Sequence, residues 1–165
     1  MSEQLVIDPA RFARDRVRLT GSIAAAALPR LAEQLHGAGG SIGYEVEGFL
    51  SERGHPGLHL RLDGEIEVRC QRCLGALRTR IESRRDVVLV EGADEFAQRS
   101  DEDETMDIIP AVPRLDLRTL LEDEVLLGLP VAPCHAEGEC RAPEGGPDAA
   151  PERVSPFAAL VQLKR

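Results

Sequence analysis

The chain has 165 residues and an apolar fraction of 42%, which suits a single domain; with no Trp, one Tyr and four Phe, its core must be mainly aliphatic. No apolar stretch approaches the roughly 18 to 20 residues that span a bilayer, and the first residues lack the basic and apolar regions of a secretory signal. The formal net charge of −9 would argue against a nucleic-acid partner if it were evenly spread, but residues 1–90 carry 13 basic and 12 acidic groups. Because the sequence shows neither a membrane span nor a secretory signal, we expect a cytoplasmic protein with no membrane partner.

The first third of the chain predicts a strand, a helix and a second strand. Residues 16–20 alternate between polar and apolar types, as in a strand with one wet face. Apolar residues at helical spacing predict a helix over residues 29–36 that ends at Gly37. Alternation resumes over residues 42–50, and the turn sequence at residues 54–57 predicts the end of that strand.

The clearest strand signal lies in residues 58–70. Apolar side chains and one glycine hold the even positions, and polar, mostly charged side chains hold the odd ones. The Cys-x-x-Cys sequence of Cys70 and Cys73 ends this strand, and a further alternating stretch runs over residues 77–90. Three strands with short connections predict an antiparallel meander, with the two cysteines in a knuckle at the tip of its second hairpin.

The second half of the chain predicts one strong helix. Residues 91–107 carry eight acidic groups and one Arg, which predicts a mobile acidic loop, and residues 107–110 predict a short edge strand. Asp116 is a typical N-cap for a helix over residues 116–127, which has a broad apolar face and is followed by Gly128.

These elements predict the fold class α+β, with an antiparallel, curved or barrel-like β-sheet, two main helices and a zinc-knuckle-like hairpin tip. We expect residues 1–141 to form a single domain. Residues 142–155, rich in Pro, Gly and Ala, predict a disordered linker, and residues 156–165 predict a short C-terminal docking segment.

Five residues are candidate zinc ligands. Cys70 and Cys73 form one half of the site, and the other half comes from Cys134, His135 and Cys140. Structural zinc takes four N or S ligands, and adjacent residues rarely bind one ion together, so the fourth ligand is either Cys134 or His135. A redox role for the first pair and plain structural thiols are the alternatives.

A cluster of arginines surrounds the Cys-x-x-Cys sequence and predicts contact with RNA phosphates. Within residues 69–85 only Glu82 opposes their charge. A solvated sheet face is the alternative interpretation. The candidate RNA-binding residues are Arg69, Arg72, Arg78, Arg80, Arg84 and Arg85.

Motifs of enzymes are missing from the sequence. It has no Gly-rich phosphate loop, Ser/His/Asp set or paired-carboxylate motif, and its acidic run at residues 122–124 is typical of a solvated helix face. We therefore expect a non-enzymatic protein with no small-molecule substrate. One alternative is a zinc-dependent nuclease or hydrolase with Glu124 or His135 as general base beside an open metal site. Another is a small protein-interaction module without RNA contact.

Four segments of the chain together carry a family resemblance. They are CQRC at Cys70–Cys73, the stretch LEDEVLLGLPVAPCHAEGEC at Leu121–Cys140, the closing SPFAALVQLKR and the opening LVIDPARF. In this combination they resemble the YceD family, the large ribosomal RNA subunit accumulation proteins. The resemblance covers nearly the whole chain, and the combination is specific although each motif alone is not.

The resemblance implies a bacterial ribosome-biogenesis factor that supports the synthesis, processing or stability of 23S rRNA. The implied partners are 23S rRNA or its precursor and a ribosomal protein of the large subunit. The metal-ligand pattern of the family falls on Cys70, Cys73, His135 and Cys140. Cys134 is an addition to that pattern, and it leaves the fourth ligand open.

Overall fold

The computed structural model describes residues 5–92 and 106–140. Seven strands and three α-helices follow one another along these residues: β1 (Val6–Ile7), α1 (Pro9–Arg14), β2 (Arg18–Ala24), α2 (Pro29–Ala32), β3 (Leu35–Leu50), β4 (Pro56–Arg69), β5 (Ala76–Val90), β6 (Asp107–Pro110), β7 (Leu115–Asp116) and α3 (Leu117–Gly128). The predicted α+β class is confirmed. No helix in this part of the chain is long and apolar enough to cross a membrane.

One mixed sheet dominates the fold. Its five strands lie in the order β2, β3, β4, β5, β6, and every neighbouring pair is antiparallel except β5 and β6, which are parallel. The predicted meander is confirmed as β3, β4 and β5. The sheet was predicted to be curved or barrel-like, and it is open rather than closed into a barrel, since β2 and β6 stand at its opposite edges. The strands β1 and β7 form a separate antiparallel pair.

The long strands have one buried and one wet face over most of their length, as the alternation predicts, whereas residues 87–90 at the end of β5 are all buried. On the inner face of β4, Leu58, Leu60, Leu62, Ile66 and Val68 are all buried. The opposite face, which we call the outer face, carries the polar side chains of β3, β4 and β5. On β4 these are His59, Arg61, Asp63, Glu65, Glu67 and Arg69. The helices pack against the inner face, where α1 contributes Phe12 to the core and α3 contributes Leu117, Leu121 and Val125.

The helix predicted over residues 29–36 is mostly wrong, so the sheet has one main helix, α3, and not two. The helix α2 is a single turn, Pro29–Ala32, and β3 already begins at Leu35. Leu35 is buried and pairs with Val68 of β4, so sheet pairing outweighs the helical spacing of the apolar residues. The register shifts between Leu35 and Gly40, whose φ of +104° is a conformation that glycine adopts without strain.

The helices α1 and α3 both begin at an aspartate cap. Asp116 accepts a hydrogen bond from the backbone N–H of Arg118 at 2.9 Å, as the predicted N-cap should. Asp8 caps α1 in the same way, accepting from Arg11 N–H at 3.1 Å ahead of Pro9. The cap followed by proline is the sequence signal for α1, a helix that the apolar periodicity missed.

The acidic run of α3 is not a solvated face. Glu122 and Glu124 are both buried, at 4% and 5% exposure. The carboxylate of Glu122 accepts hydrogen bonds from the backbone N–H groups of Arg30 at 2.6 Å and Leu31 at 3.1 Å, and so caps the start of α2 across 91 to 92 residues of sequence. Asp123 forms an ion pair with Arg30 at 2.6 Å. The run therefore joins α3 to α2.

Three predicted segments lie largely or wholly outside the described residues. They are the acidic loop, described only at residues 91–92 and 106–107, the linker at 142–155 and the docking segment at 156–165. Of this region, the predicted edge strand at residues 107–110 is confirmed as β6.

Candidate metal centre

The connection from β4 to β5 is a tight turn around the first two cysteines. The backbone N–H of Cys70 donates to the carbonyl of Gly75, and the N–H of Leu74 donates to the carbonyl of Cys70, both at 2.9 Å. Leu74 closes the turn with a φ of +60°, an uncommon conformation for a residue with a side chain. The turn holds Cys70, which is fully buried, beside the half-buried Cys73.

The segment after α3 returns to this turn and is held there by backbone contacts. Gln71 donates its backbone N–H to the carbonyl of Pro133 at 2.8 Å. The guanidinium of Arg72 donates to the carbonyl of His135, and to that of Ala136 at 3.2 Å. These hydrogen bonds bring the second predicted half-site to the first, across about 60 residues of sequence.

Four of the five predicted ligands converge. Ligand atoms of Cys70, Cys73, His135 and Cys140 all lie within 4.8 Å of one another. The Sγ atoms of Cys70 and Cys140 are 3.8 Å apart, too far for a disulfide bond. The Nδ1 atom of His135 lies 3.4 Å from Cys73 Sγ and 3.9 Å from Cys140 Sγ.

These distances fit a tetrahedral site of zinc dimensions. Zinc–sulfur bonds of 2.3 Å and zinc–nitrogen bonds near 2.05 Å place two tetrahedral sulfurs about 3.8 Å apart, and sulfur and nitrogen about 3.6 Å apart. The observed sulfur–sulfur distance of 3.8 Å equals the first value, and the two sulfur–nitrogen distances of 3.4 and 3.9 Å lie on either side of the second. The four side chains are therefore close enough together to hold one metal ion.

The structure favours His135 over Cys134 as the fourth ligand. Cys134 is exposed and does not belong to the group of converging side chains. His135 places its Nε2 atom 2.9 Å from the carbonyl oxygen of Ala76. A proton on Nε2 that is donated to this carbonyl leaves Nδ1 as the lone-pair atom, directed at the cysteines, as in metal-binding histidines held by a second hydrogen bond.

The thiols of the cluster differ in acidity. The backbone N–H of Cys73 in the first place, and those of His135 and Arg72, lower the pKa of Cys70 to about 5 against the opposing effect of burial. Burial, together with the thiols of Cys70 and Cys73, raises the pKa of Cys140 to about 11. Sulfurs this close cannot all ionise without a cation, because each thiolate disfavours the next. A bound dication would supply that charge.

The two residues considered as general bases lie in different places. His135 belongs to the cluster. Glu124 is buried against β5, where Ser83 Oγ donates to it at 3.2 Å and Arg85 lies 3.6 Å away. Ser83 is seven residues from Ala76, the strand end nearest the cluster, so the two are about 23 Å apart along an extended strand. Glu124 thus supports the packing of α3, and burial raises the pKa of its carboxyl.

The six predicted RNA-binding arginines do not form one basic patch. Arg78, Arg80 and Arg84 lie on the outer face of β5, and Arg69 lies on the same face at the end of β4. Arg85 instead points to the inner side and forms an ion pair with Glu124. Arg72 is used within the turn itself. The outer faces of β4 and β5 carry five arginines and five carboxylates: Arg61, Arg69, Arg78, Arg80, Arg84, Asp63, Glu65, Glu67, Glu82 and Asp86. The sequence interpretation counted only Glu82 because the β4 carboxylates become neighbours only through strand pairing.

Comparison with known proteins connects this chain to a described family. Residues 58–164 match the sequence profile of the family described as Large ribosomal RNA subunit accumulation protein YceD. The chain is 25% identical over 169 aligned positions to a protein of Haemophilus influenzae that bears the same description, covering 98% of this chain and 95% of that relative. No solved structure shows a significant match. The family match begins at Leu58 and so spans both halves of the cysteine and histidine cluster.

Proposed function

The chain belongs to the YceD family of large ribosomal RNA subunit accumulation proteins, and on this premise we propose that it is a ribosome-biogenesis factor. It supports the synthesis, processing or stability of 23S rRNA, by binding the precursor RNA or a ribosomal protein of the large subunit. The observation that carries the proposal is the family match over residues 58–164, which includes most of β4, all of β5 and α3, and every residue of the converging cluster.

The metal in this proposal is a structural zinc ion held by Cys70, Cys73, His135 and Cys140. With four protein ligands, it has no open position for a water molecule, which a hydrolytic zinc site requires. It links the segment after α3 to the β4–β5 turn, to which that segment is also joined by the hydrogen bonds of Gln71 and Arg72. The proposed role is therefore that of a binding protein and not of an enzyme.

The proposal is tested in a strain that lacks the gene. We expect less 23S rRNA relative to 16S rRNA and fewer mature large subunits in a sucrose gradient, both restored by the native gene. A Cys73→Ser variant should fail to restore them, because it removes a ligand from the cluster. The matched control is Cys134→Ser, which changes a thiol outside the cluster and should restore both.

Two outcomes would contradict the proposal. An unchanged ratio of 23S to 16S rRNA in the deletion strain would remove the role in ribosome biogenesis. Metal-dependent cleavage of 23S precursor RNA by the purified protein would replace the binding role by the nuclease alternative. Cleavage is measured on the precursor transcript with zinc present and after treatment with a chelator.

A further inference from the structure

On the outer face of the sheet, Arg61 and Arg84 carry charges that the carboxylates of the described residues leave largely uncompensated. Two other arginines of this face are hydrogen-bonded to carboxylates: Arg18 lies 2.5 Å from Glu45, and Arg80 donates to Asp63 at 3.1 Å. Arg61 approaches Glu45 only to 3.8 Å, and that carboxylate is already bonded to Arg18. Arg84 approaches Glu82 only to 4.0 Å. These distances exceed hydrogen-bond length.

Arg61 and Arg84 are also direct neighbours. They occupy opposite positions in the β4–β5 register, where like charges disfavour the pairing of the strands. Their side chains are 64% and 75% exposed. Within the described residues neither guanidinium donates a hydrogen bond, so the pair presents its donors to solvent. An anion that bridges the two would relieve their repulsion and satisfy those donors together.

A groove opens on the outer face at this pair. It has a volume of about 380 Å³, within the range of sites that hold a small ligand or one unit of a polymer. Its floor includes Gly43, which has no side chain to fill the space between β2 and β4. The polar side chains along it are Thr20, Glu45, Arg61, Asp63, Glu82 and Arg84. The groove therefore offers two cationic donors beside several acceptors.

An aromatic pair adjoins the two arginines. Phe49 covers Gly57 and stacks on the ring of His59, with centroids 4.1 Å apart and planes inclined by 14°. His59 and Arg61 are two residues apart on β4, so they project from the same face about 7 Å apart. That spacing is twice the roughly 3.4 Å separation of stacked bases. A single base can therefore enter between the imidazole and the guanidinium.

We propose that this part of the outer face binds single-stranded RNA. A phosphate bridges Arg61 and Arg84, and an unpaired base stacks between His59 and Arg61. The carboxylates of Asp63 and Glu82 are placed to accept from ribose hydroxyl or base amino groups and would repel a second phosphate. Duplex RNA would not offer an unstacked base to this site. The inference rests on the proposed function and identifies the surface through which the protein would contact 23S precursor RNA.

The test compares two double variants with equal loss of charge. The first is Arg61→Gln with Arg84→Gln. The matched control is Arg14→Gln with Arg118→Gln, in which both residues lie on helices that pack on the inner face and neither has an ion-pair partner among the described residues. Binding of a fluorescein-labelled 12-nucleotide oligoadenylate is measured by fluorescence anisotropy between 50 and 200 mM salt. Circular dichroism confirms that each variant is folded.

We expect the first double variant to bind about tenfold more weakly or worse, and the control to bind like the native protein. The slope of log affinity against log salt should fall by about 1.4 in the first variant, since single strands contribute about 0.7 for each phosphate contact. His59→Ala should weaken binding by about fivefold or more, because the variant loses the ring on which the base stacks.

Other results would overturn the inference. Equal losses in the two double variants would show a general charge effect, and unchanged affinity in the first would show that the arginines do not touch RNA. If the first double variant keeps its RNA affinity but loses an RNase-resistant association with a ribosomal protein, the surface binds a protein and not RNA. If the native protein restores 23S rRNA in the deletion strain but does not bind the oligonucleotide, the inference fails and the proposed function stands. If it does not restore 23S rRNA, the proposed function fails as well.

Discussion

Removing the imidazole of His135 should impair metal binding far more than removing the neighbouring thiol of Cys134. The two residues are adjacent in sequence, but only His135 directs a ligand atom into the cluster, at 3.4 Å from Cys73 Sγ. Cys134 is exposed outside it. The variants His135→Ala and Cys134→Ser therefore distinguish His135 from Cys134 as the fourth ligand.

The size of the effect follows from the number of ligands. Structural zinc in small domains contributes about 10–16 kcal/mol, so one ligand of four accounts for about 2.5–4 kcal/mol. This corresponds to roughly 10²- to 10³-fold weaker zinc binding for His135→Ala. Cys134→Ser should stay within about threefold of the native affinity, since the change lies outside the cluster.

Competition against a chromophoric chelator at constant pH measures both affinities, and elemental analysis of the purified proteins gives the stoichiometry. We expect one zinc ion per chain for the native protein and for Cys134→Ser. The reasoning is refuted if Cys134→Ser loses zinc and His135→Ala keeps it, because the fourth ligand would then be the exposed thiol. Absence of zinc or any other metal from native protein purified without chelators would remove the metal site altogether.

Three further predictions concern the cluster and the elements around it. Because the pKa of Cys140 is raised to about 11, zinc binding at pH 7 should displace a proton from its thiol, and the zinc affinity should rise with pH. Calorimetry in buffers of different ionisation enthalpy detects this release of protons, and no release at pH 7 would contradict the prediction. Glu122→Ala should lower the free energy of unfolding in urea by about 3 kcal/mol, because two N–H groups at the start of α2 lose their acceptor; a loss below about 1 kcal/mol would contradict the capping role. Leu74→Gly should leave the stability unchanged or raise it by up to about 1 kcal/mol, since the residue is 62% exposed with φ at +60°. Leu50→Gly, a strand residue of 48% exposure, is its control and should lose about 1 kcal/mol in the same urea experiment.

The strands could be predicted from the sequence because their signal is local. In β4 every second residue faces the helices, and a period of two is visible in the chain itself. The helix at residues 29–36 was predicted wrongly because the same kind of local signal misled: Leu31 and Leu35 are four residues apart, a spacing that puts two side chains on one face of a helix. Their burial is real, but Leu35 reaches the core from a strand that pairs with Val68.

The candidate metal centre was predicted as a set of five residues and narrowed by the structure. Residue type and spacing indicated Cys70, Cys73 and Cys140, because the thiols and the short Cys-x-x-Cys spacing can be read directly from the sequence. The choice between Cys134 and His135 depends on which way the chain turns after Pro133, and that turn is set by Gln71 and Arg72 of the other half-site.

The sequence by itself determined the family, the α+β class, the strand periodicity and the types of side chain available for a metal. The tertiary structure alone decided which four of those side chains meet, which carboxylates neutralise the arginines and why Glu122 is buried. The physical reason is distance along the chain. Periodicity and capping act over a few residues, whereas the sheet register and the docking of α3 join groups that are 17 to 92 residues apart.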